Sequence, residues 1–327
     1  MPTGIFRTFR SPPPAPPGEM AVEAAVDARD LDPLFDDFAG RLLCLTPPDP
    51  RAELRTRFEE AGAVKVVWRD ARGQIVGAAL GAVEGAGCDI VFLPVMPAVA
   101  DVASTARLLE ALLGALPPSV LRVRAMDRMA HRWLHLPSAD SRGILDRRGF
   151  AAFDRVLLSR DLKRALPAPP PLPPGFQLTT PDPRRVEEFA DFAFRAYRGT
   201  TDFAIIAPEA SPAAYARLYR KFLSGELGEY APPLSMALLA PDSSLAGVLH
   251  TILVAREPYV GDLSVLTEHR RHHLGRALLC TALQRYRDAG LTRAALTVTA
   301  QNTAAYNLYR SVGFEVERSG EVFLLAR

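Results

Sequence analysis

The chain has 327 residues, of which 48% are apolar and 23% charged, so it is long enough for two domains and apolar enough to bury a core; disorder throughout is excluded. Net charge is +2, with 22 basic against 21 acidic residues up to position 166 and 17 against 16 beyond it, so neither half carries the basic field of a nucleic-acid binder. Cys44, Cys88 and Cys280 are far apart and form no CxxC pair, no apolar run reaches about 18 residues, and the N-terminus lacks the apolar middle of a secretory signal. These features together lead us to expect a cytoplasmic protein with reduced thiols and no membrane partner.

In chain order, a proline-rich tail (1–19, with Pro12 to Pro17) comes first. Strand-like runs follow at 74–80 and 155–160. From Ala165 to Gly175 prolines remove amide donors and disfavour helix, so this stretch reads as a semi-rigid polyproline linker. Beyond it the pattern predicts a strand at 177–180, a helix over 184–198 with Val186, Phe189, Phe192 and Ala193 on one face, and a helix over 213–223 opened by Ser211 and Pro212. Strands fit 234–239, 245–254 and 259–266. A helix over 274–288 sets Leu274, Leu278, Ala282 and Tyr286 in one row and stops at Gly290. A strand at 294–299, a helix at 303–311 ending at Gly313 and a strand at 322–326 complete the order.

The two sides of the linker resemble each other. Leu145 to Phe150 matches Tyr309 to Phe314 at an offset of 164, and 74–80 matches 244–250 at an offset of 170, a spacing too long for a solenoid and suited to a duplicated domain. The expected fold is α/β (an α+β mixed sheet) in two tandem copies: tail 1–19, first copy 20–164, linker 165–175 and second copy 176–327.

Two stretches could carry chemistry. Residues 263–279 run from a strand through a basic loop into a helix, and a helix start with free amides and a positive dipole end suits a phosphate; Arg270, Arg271 and Arg276 add charge there. A basic loop at a helix start is the plainer alternative. Residues 302–314 place Asn302, Ala305, Tyr306 and Tyr309 on one helical face. A capped helix with tyrosines half in the core is the plainer alternative there.

Together these stretches resemble the GNAT superfamily of acyl-CoA N-acyltransferases, over roughly Phe176 to Arg327. The family loop pattern aligns with Arg270, His273 and Gly275, with His273 standing where the family has its first glycine. The resemblance implies that the loop from Arg270, Arg271, His272 and His273 through Leu274, Gly275, Arg276 and Ala277 grips the pyrophosphate of acetyl-CoA or another acyl-CoA. It implies that Asn302 and Tyr306 flank the pantetheine arm. Amides near Val265 and Leu266 would bind the thioester oxygen, Tyr309 would protonate the leaving thiolate, and Asp262 or Glu268 would take the proton of a primary amine on a small molecule or peptide. The acceptor walls would come from about Arg195 to Glu209, with no metal, and with a monomer or homodimer as the working form. A non-catalytic acyl-CoA-binding module for regulation or assembly is the rival reading.

The first copy reads as degenerate. Residues 94–107 hold two prolines and no glycine, Leu145 stands in the position of Tyr309, and Ser138 in that of Asn302. His131 and His135 have helical zinc spacing, but no glutamate follows His131 and a third ligand is missing; His250 ends near the expected cleft as a lone histidine.

Overall fold

The computed structural model describes residues 17–22, 26, 28–34, 59, 62–93, 101–126, 141–207 and 209–327. Cys44, His131, His135, Ser138 and most of the 1–19 tail fall outside them, as do 94–100 of the stretch read as a lost phosphate loop. The described residues belong to two compact units, one drawn from 1–82, 90–117 and 135–144, the other from 83–89, 118–134 and 145–327.

In the first unit, β1 (Pro17–Val22), β2 (Ala63–Asp70) and β3 (Ile75–Glu84) form an antiparallel meander with Val66 opposite Ala79. The strand β4 (Gly87–Phe92) leads on to the helix α1 (Val102–Ala115), which buries Thr105, Leu108, Leu109 and Leu112, the spacing of one helical face. Its first turn is closed by the chain itself, since the Asp101 carboxylate accepts the Ser104 amide at 2.6 Å. A carboxylate thus holds the helix start at which an anion would bind.

The second unit contains β5 (Arg122–Met126), β6 (Ala151–Asp161) and everything after the polyproline segment, while α2 (Ser141–Arg147) precedes β6. Its later elements are β7 (Gln177–Thr179), α3 (Val186–Tyr197), α4 (Phe203–Ile206), α5 (Pro212–Leu223), β8 (Glu229–Tyr230), β9 (Met236–Leu239), β10 (Leu245–Val254), β11 (Glu257–Val265), α6 (Leu274–Asp288), β12 (Arg293–Thr299), α7 (Thr303–Ser311) and β13 (Glu315–Ala326). The strand order is β5-β13-β6-β12-β11-β10-β9-β7, with β8 also on β10, and every pair is antiparallel except β11 with β12. Helix α6 packs Leu274, Leu278, Leu279, Ala282, Leu283 and Tyr286 against Leu249, Val260, Leu296 and Phe314. A separate cluster joins Phe189, Phe192 and Ala193 of α3 and Tyr215 and Tyr219 of α5 to Ala237, Val248 and Leu266. Each fully buried Leu or Phe of these clusters contributes about 1.5–3 kcal/mol.

The compact units do not divide at the polyproline segment. The strand before it, β6, lies between the last two strands of the chain: Leu158 is opposite both Leu296 of β12 and Val316 of β13, while β13 reaches on to pair with β5. The terminal strands of the two sequence repeats are therefore exchanged. The polyproline run is packed as well, with Leu166 and Leu172 against the α6 cluster and Arg160 bridging the carbonyls of Ala165 (2.6 Å) and Gly313 (3.1 Å). Strand β13 begins seven residues before the expected 322 because Glu315 to Glu321, polar and largely exposed, is held by backbone pairing to β6 and carries no apolar pattern. Leu234, expected to open the strand over 234–239, ends a 3₁₀ turn over Pro232–Leu234, and β9 starts at Met236.

Among the described residues no helix is long and apolar enough to cross a membrane. Cys88 and Cys280 are buried free thiols.

A fragment beginning at residue 176 would leave an empty lane between β12 and β13. We expect it to show no cooperative thermal transition by circular dichroism; a sharp melt with native-like spectra would contradict the exchange.

Candidate functional site

The site begins with a defect in the sheet. Along β10 and β11 the register runs His250 to Asp262 and then Thr251 to Val260, so Gly261 is an extra residue, a β-bulge. No side chain fits there, because a Cβ on Gly261 would lie 2.2 Å from Cε2 of Phe222. The parallel ladder to β12 is confined to Tyr259 with Ala295 and Val260 with Leu296, and ends where the bulge begins. Beyond it the Leu266 amide donates to Ala246 (3.0 Å). Antiparallel alternation then turns the amides of Leu263 and Val265 away from β10, toward the side that β12 has left.

After β11 a 3₁₀ turn over Thr267–His269 leads into a loop with two left-handed residues, Arg271 (φ 67°) and His273 (φ 57°). His273 is the N-cap of α6 and gives it no side-chain cap, so the amides of Leu274, Gly275 and Arg276 are left without intrahelical acceptors. This is the opposite of α1, whose first turn Asp101 closes.

Asp262 follows the bulge and is 7% exposed. Helix α3 ends at Tyr197, whose hydroxyl donates to Asp262 Oδ1 (2.6 Å), and α5 presents Tyr219, which donates to Oδ2 along with the Ser264 hydroxyl (3.1 Å). Burial raises the Asp262 carboxyl above its ordinary value, and the three hydroxyls oppose that rise. On α7, Tyr309 is buried and its hydroxyl makes no hydrogen bond among the described residues. Burial, followed by the charges of Asp262 and Asp202, pushes this phenol well above its usual range and keeps it protonated at neutral pH.

A model of the acetyltransferase (GNAT) family matches residues 185–314, which span the bulge, the loop and α7. This part of the chain is a GNAT-family domain. Over 72 residues the chain is 38% identical to N-acetyltransferase family 8 member 3 of Rattus norvegicus, a match covering 22% of this chain and 31% of that protein. The fold is similar to a GCN5-related N-acetyltransferase from Sphaerobacter thermophilus (TM-score 0.59, 17% identity, 94% of this chain and 95% of that one). It is similar also to a tandem GNAT protein from the clavulanic acid biosynthesis pathway (TM-score 0.55, 16% identity, 94% and 98%). The tandem α/β architecture expected from the repeats is that of the second neighbour, itself a tandem GNAT protein.

Within the GNAT domain the expected residues divide into three groups. Val265 offers its amide to the opening, whereas Leu266 cannot, its amide being held by Ala246; Leu263, missed in the sequence, takes its place. Leu274 and Ala277 are buried in the core, so only the backbone of Leu274, in the uncapped first turn, remains available. Arg271, His272 and His273 are exposed on the loop, and Gly275 faces α7 and β11, where a Cβ would make only ordinary contacts, with Leu308 at 3.5 Å and Val265 at 3.9 Å.

The side chains of Arg270, Arg276 and Asn302 are engaged within the protein. Arg270 donates to the carbonyls of Val265 (3.0 Å) and Ala196 (2.7 Å), tying the loop to α3. Arg276 reaches Ser311 (2.8 Å), joining α6 to α7. Asn302 accepts the Ala305 amide (3.3 Å) and donates to Asp202 (2.7 Å), so it caps α7 in place of facing a pantetheine arm. Tyr306 is half-buried beside it, and Glu268 is exposed on the turn after β11.

Tyr197, Tyr219 and Asp202 carry no sequence signal, since each acquires its role only by meeting a residue far along the chain, and Ser264, two residues from Asp262 on the same strand, has no local pattern to mark it. His250 is fully buried and neutral, held down to about 3 by burial, with Nδ1 at 2.9 Å from the Tyr230 hydroxyl and Phe189 packed edge-on. The expected acceptor wall is fixed in place: Arg124, paired with Asp89 (2.7 Å), donates to the carbonyls of Ile205 and Ile206, and Arg122 donates to that of Glu209 (3.2 Å). Among the described residues no three His, Cys, Asp or Glu side chains converge as a metal site would require.

A raised carboxyl destabilises the folded state as pH rises from the unfolded value of 3.8 through the folded one, because the unfolded chain ionises first. Asp262→Asn removes this loss. In urea unfolding across that window, the stability difference should move in favour of the variant as pH increases; a constant difference would remove the buried charge from the account.

Proposed function

We propose that the GNAT domain transfers an acetyl group from acetyl-CoA to a primary amine by direct attack. The observation that carries this reading is the Tyr309 hydroxyl, protonated and without an internal partner, on the helix beside strand-edge amides freed by the Gly261 bulge. The diphosphate would lie on the amides of Leu274, Gly275 and Arg276, with Arg271, His272 and His273 around it.

As the amine nitrogen bonds to the thioester carbon, charge gathers on the carbonyl oxygen and is met by the Leu263 and Val265 amides. The carbon–sulfur bond then breaks, and Tyr309 gives its proton to the departing thiolate. The amine proton passes to Asp262 through one of its hydroxyl partners, and solvent restores Tyr309. Glu268, at the exposed turn, is the outer carboxylate by which a proton could leave to water. The acceptor is a small molecule or peptide that reaches the site past 195–209. The left-handed His273, a costlier residue there than glycine, favours the second reading, an acyl-CoA-binding module without turnover.

Tyr309→Phe should lower thiol release from acetyl-CoA about a hundredfold or more on the best substrate of a primary-amine panel, with acetyl-CoA affinity by calorimetry nearly unchanged. An undiminished rate would falsify the acid role. Tight binding with no turnover on any amine would leave the binding module.

A further inference from the structure

Two consecutive residues of β6, which precede the polyproline segment, hold the turn that launches α7. The Asp154 carbonyl accepts the Ala300 amide (2.8 Å), its own amide donates to Gln301 Oε1 (3.2 Å), and its carboxylate accepts Gln301 Nε2 (3.0 Å). Arg155 lies opposite Thr299 in the ladder and donates through Nη1 to Thr299 Oγ1 (2.8 Å) and to Asp202 Oδ1 (3.1 Å). Asp202 also accepts the Thr299 hydroxyl, and its second oxygen holds Asn302 Nδ2. The Asn302 side chain and carbonyl accept the amides of Ala305 and Tyr306, the first turn of the helix that carries Tyr309 about 10 Å further on.

This chain of contacts lies largely out of water, with the Arg155 side chain 16% and that of Asp202 7% exposed. An unpaired Asp202 would be costly at that depth, so removing its cation should shift the Asn302 cap rather than leave it intact. Arg155 is also the cation that acts on the Tyr309 phenol against the two carboxylates facing it, Asp262 and Asp202; Tyr259 acts on it too.

We propose that Arg155 is a positioning residue for Tyr309: through Asp202 and Asn302 it sets the start of α7 and hence where the phenol stands. The proposal rests on the reading of Tyr309 as general acid. It gives the first sequence repeat a part in the chemistry of the second, delivered by the exchanged strand.

The test uses the full chain, acetyl-CoA and the best amine of the panel. Arg155→Met should lower kcat about tenfold or more with the acetyl-CoA KM within about twofold, and Arg155→Lys should recover a substantial part. In the Tyr309→Phe background Arg155→Met should cost little more. Independently of any acceptor, hydrogen exchange should quicken at Ala305 and Tyr306 in Arg155→Met while α6 is unchanged. Where that variant does not fold, Thr299→Val, which removes the hydroxyl shared by Arg155 and Asp202, should give the same pattern.

Unchanged exchange at Ala305 and Tyr306, or a loss that adds fully to that of Tyr309→Phe, overturns the positioning role while leaving the acid role standing. A Tyr309→Phe enzyme of full activity sinks the acid role itself, and quickened exchange in Arg155→Met would then leave only the hold on α7.

Discussion

The site depends on one break in backbone pairing. A parallel ladder between β11 and β12 along their full length would consume the amides of Leu263 and Val265 and leave no opening between the strands. Gly261 prevents this by inserting one unpaired residue, which its lack of a side chain allows beside the Phe222 ring. The same insertion resets which residues face α3 and α5, placing Asp262 among the hydroxyls of Tyr197, Tyr219 and Ser264. A gap between the two strands and a buried carboxylate thus have one cause.

The helix starts of the two repeats show how similar topology is put to different use. At α1 the Asp101 carboxylate occupies the first turn. At α6 the corresponding cap is His273, which leaves the amides open at the expense of a left-handed non-glycine conformation, roughly 1–2 kcal/mol. An anion settling on those amides would compensate for the missing cap.

Exchange of β6 and β13 makes the repeats inseparable in the second unit. Each repeat's final strand completes the sheet of the other, and β6 carries with it Asp154, Arg155 and Arg160, which respectively hold the turn before α7, the Asp202 network and the polyproline run. Arg124 and Arg122 of β5 likewise restrain the end of α4 and the segment after it. What the sequence presents as a degenerate copy is, in this unit, part of the scaffold of the site.

The sequence by itself determined the elements whose pattern is local. Helix α6 runs over 274–288, α7 over 303–311 and β10 over 245–254, each as its periodicity and stops predict, and the loop and tyrosine helix were enough to raise the GNAT resemblance. Tertiary structure alone decided the rest: that β6 crosses to β12, that Glu315 to Glu321 is strand, that the Leu266 amide is taken and the Leu263 amide free, and that Asn302 turns to Asp202. The reason is physical. Hydrophobic periodicity records which side of one element faces the core, while a strand's neighbour, a bulge or a buried polar partner depends on backbone and side-chain groups outside the element, on which the local pattern places no mark.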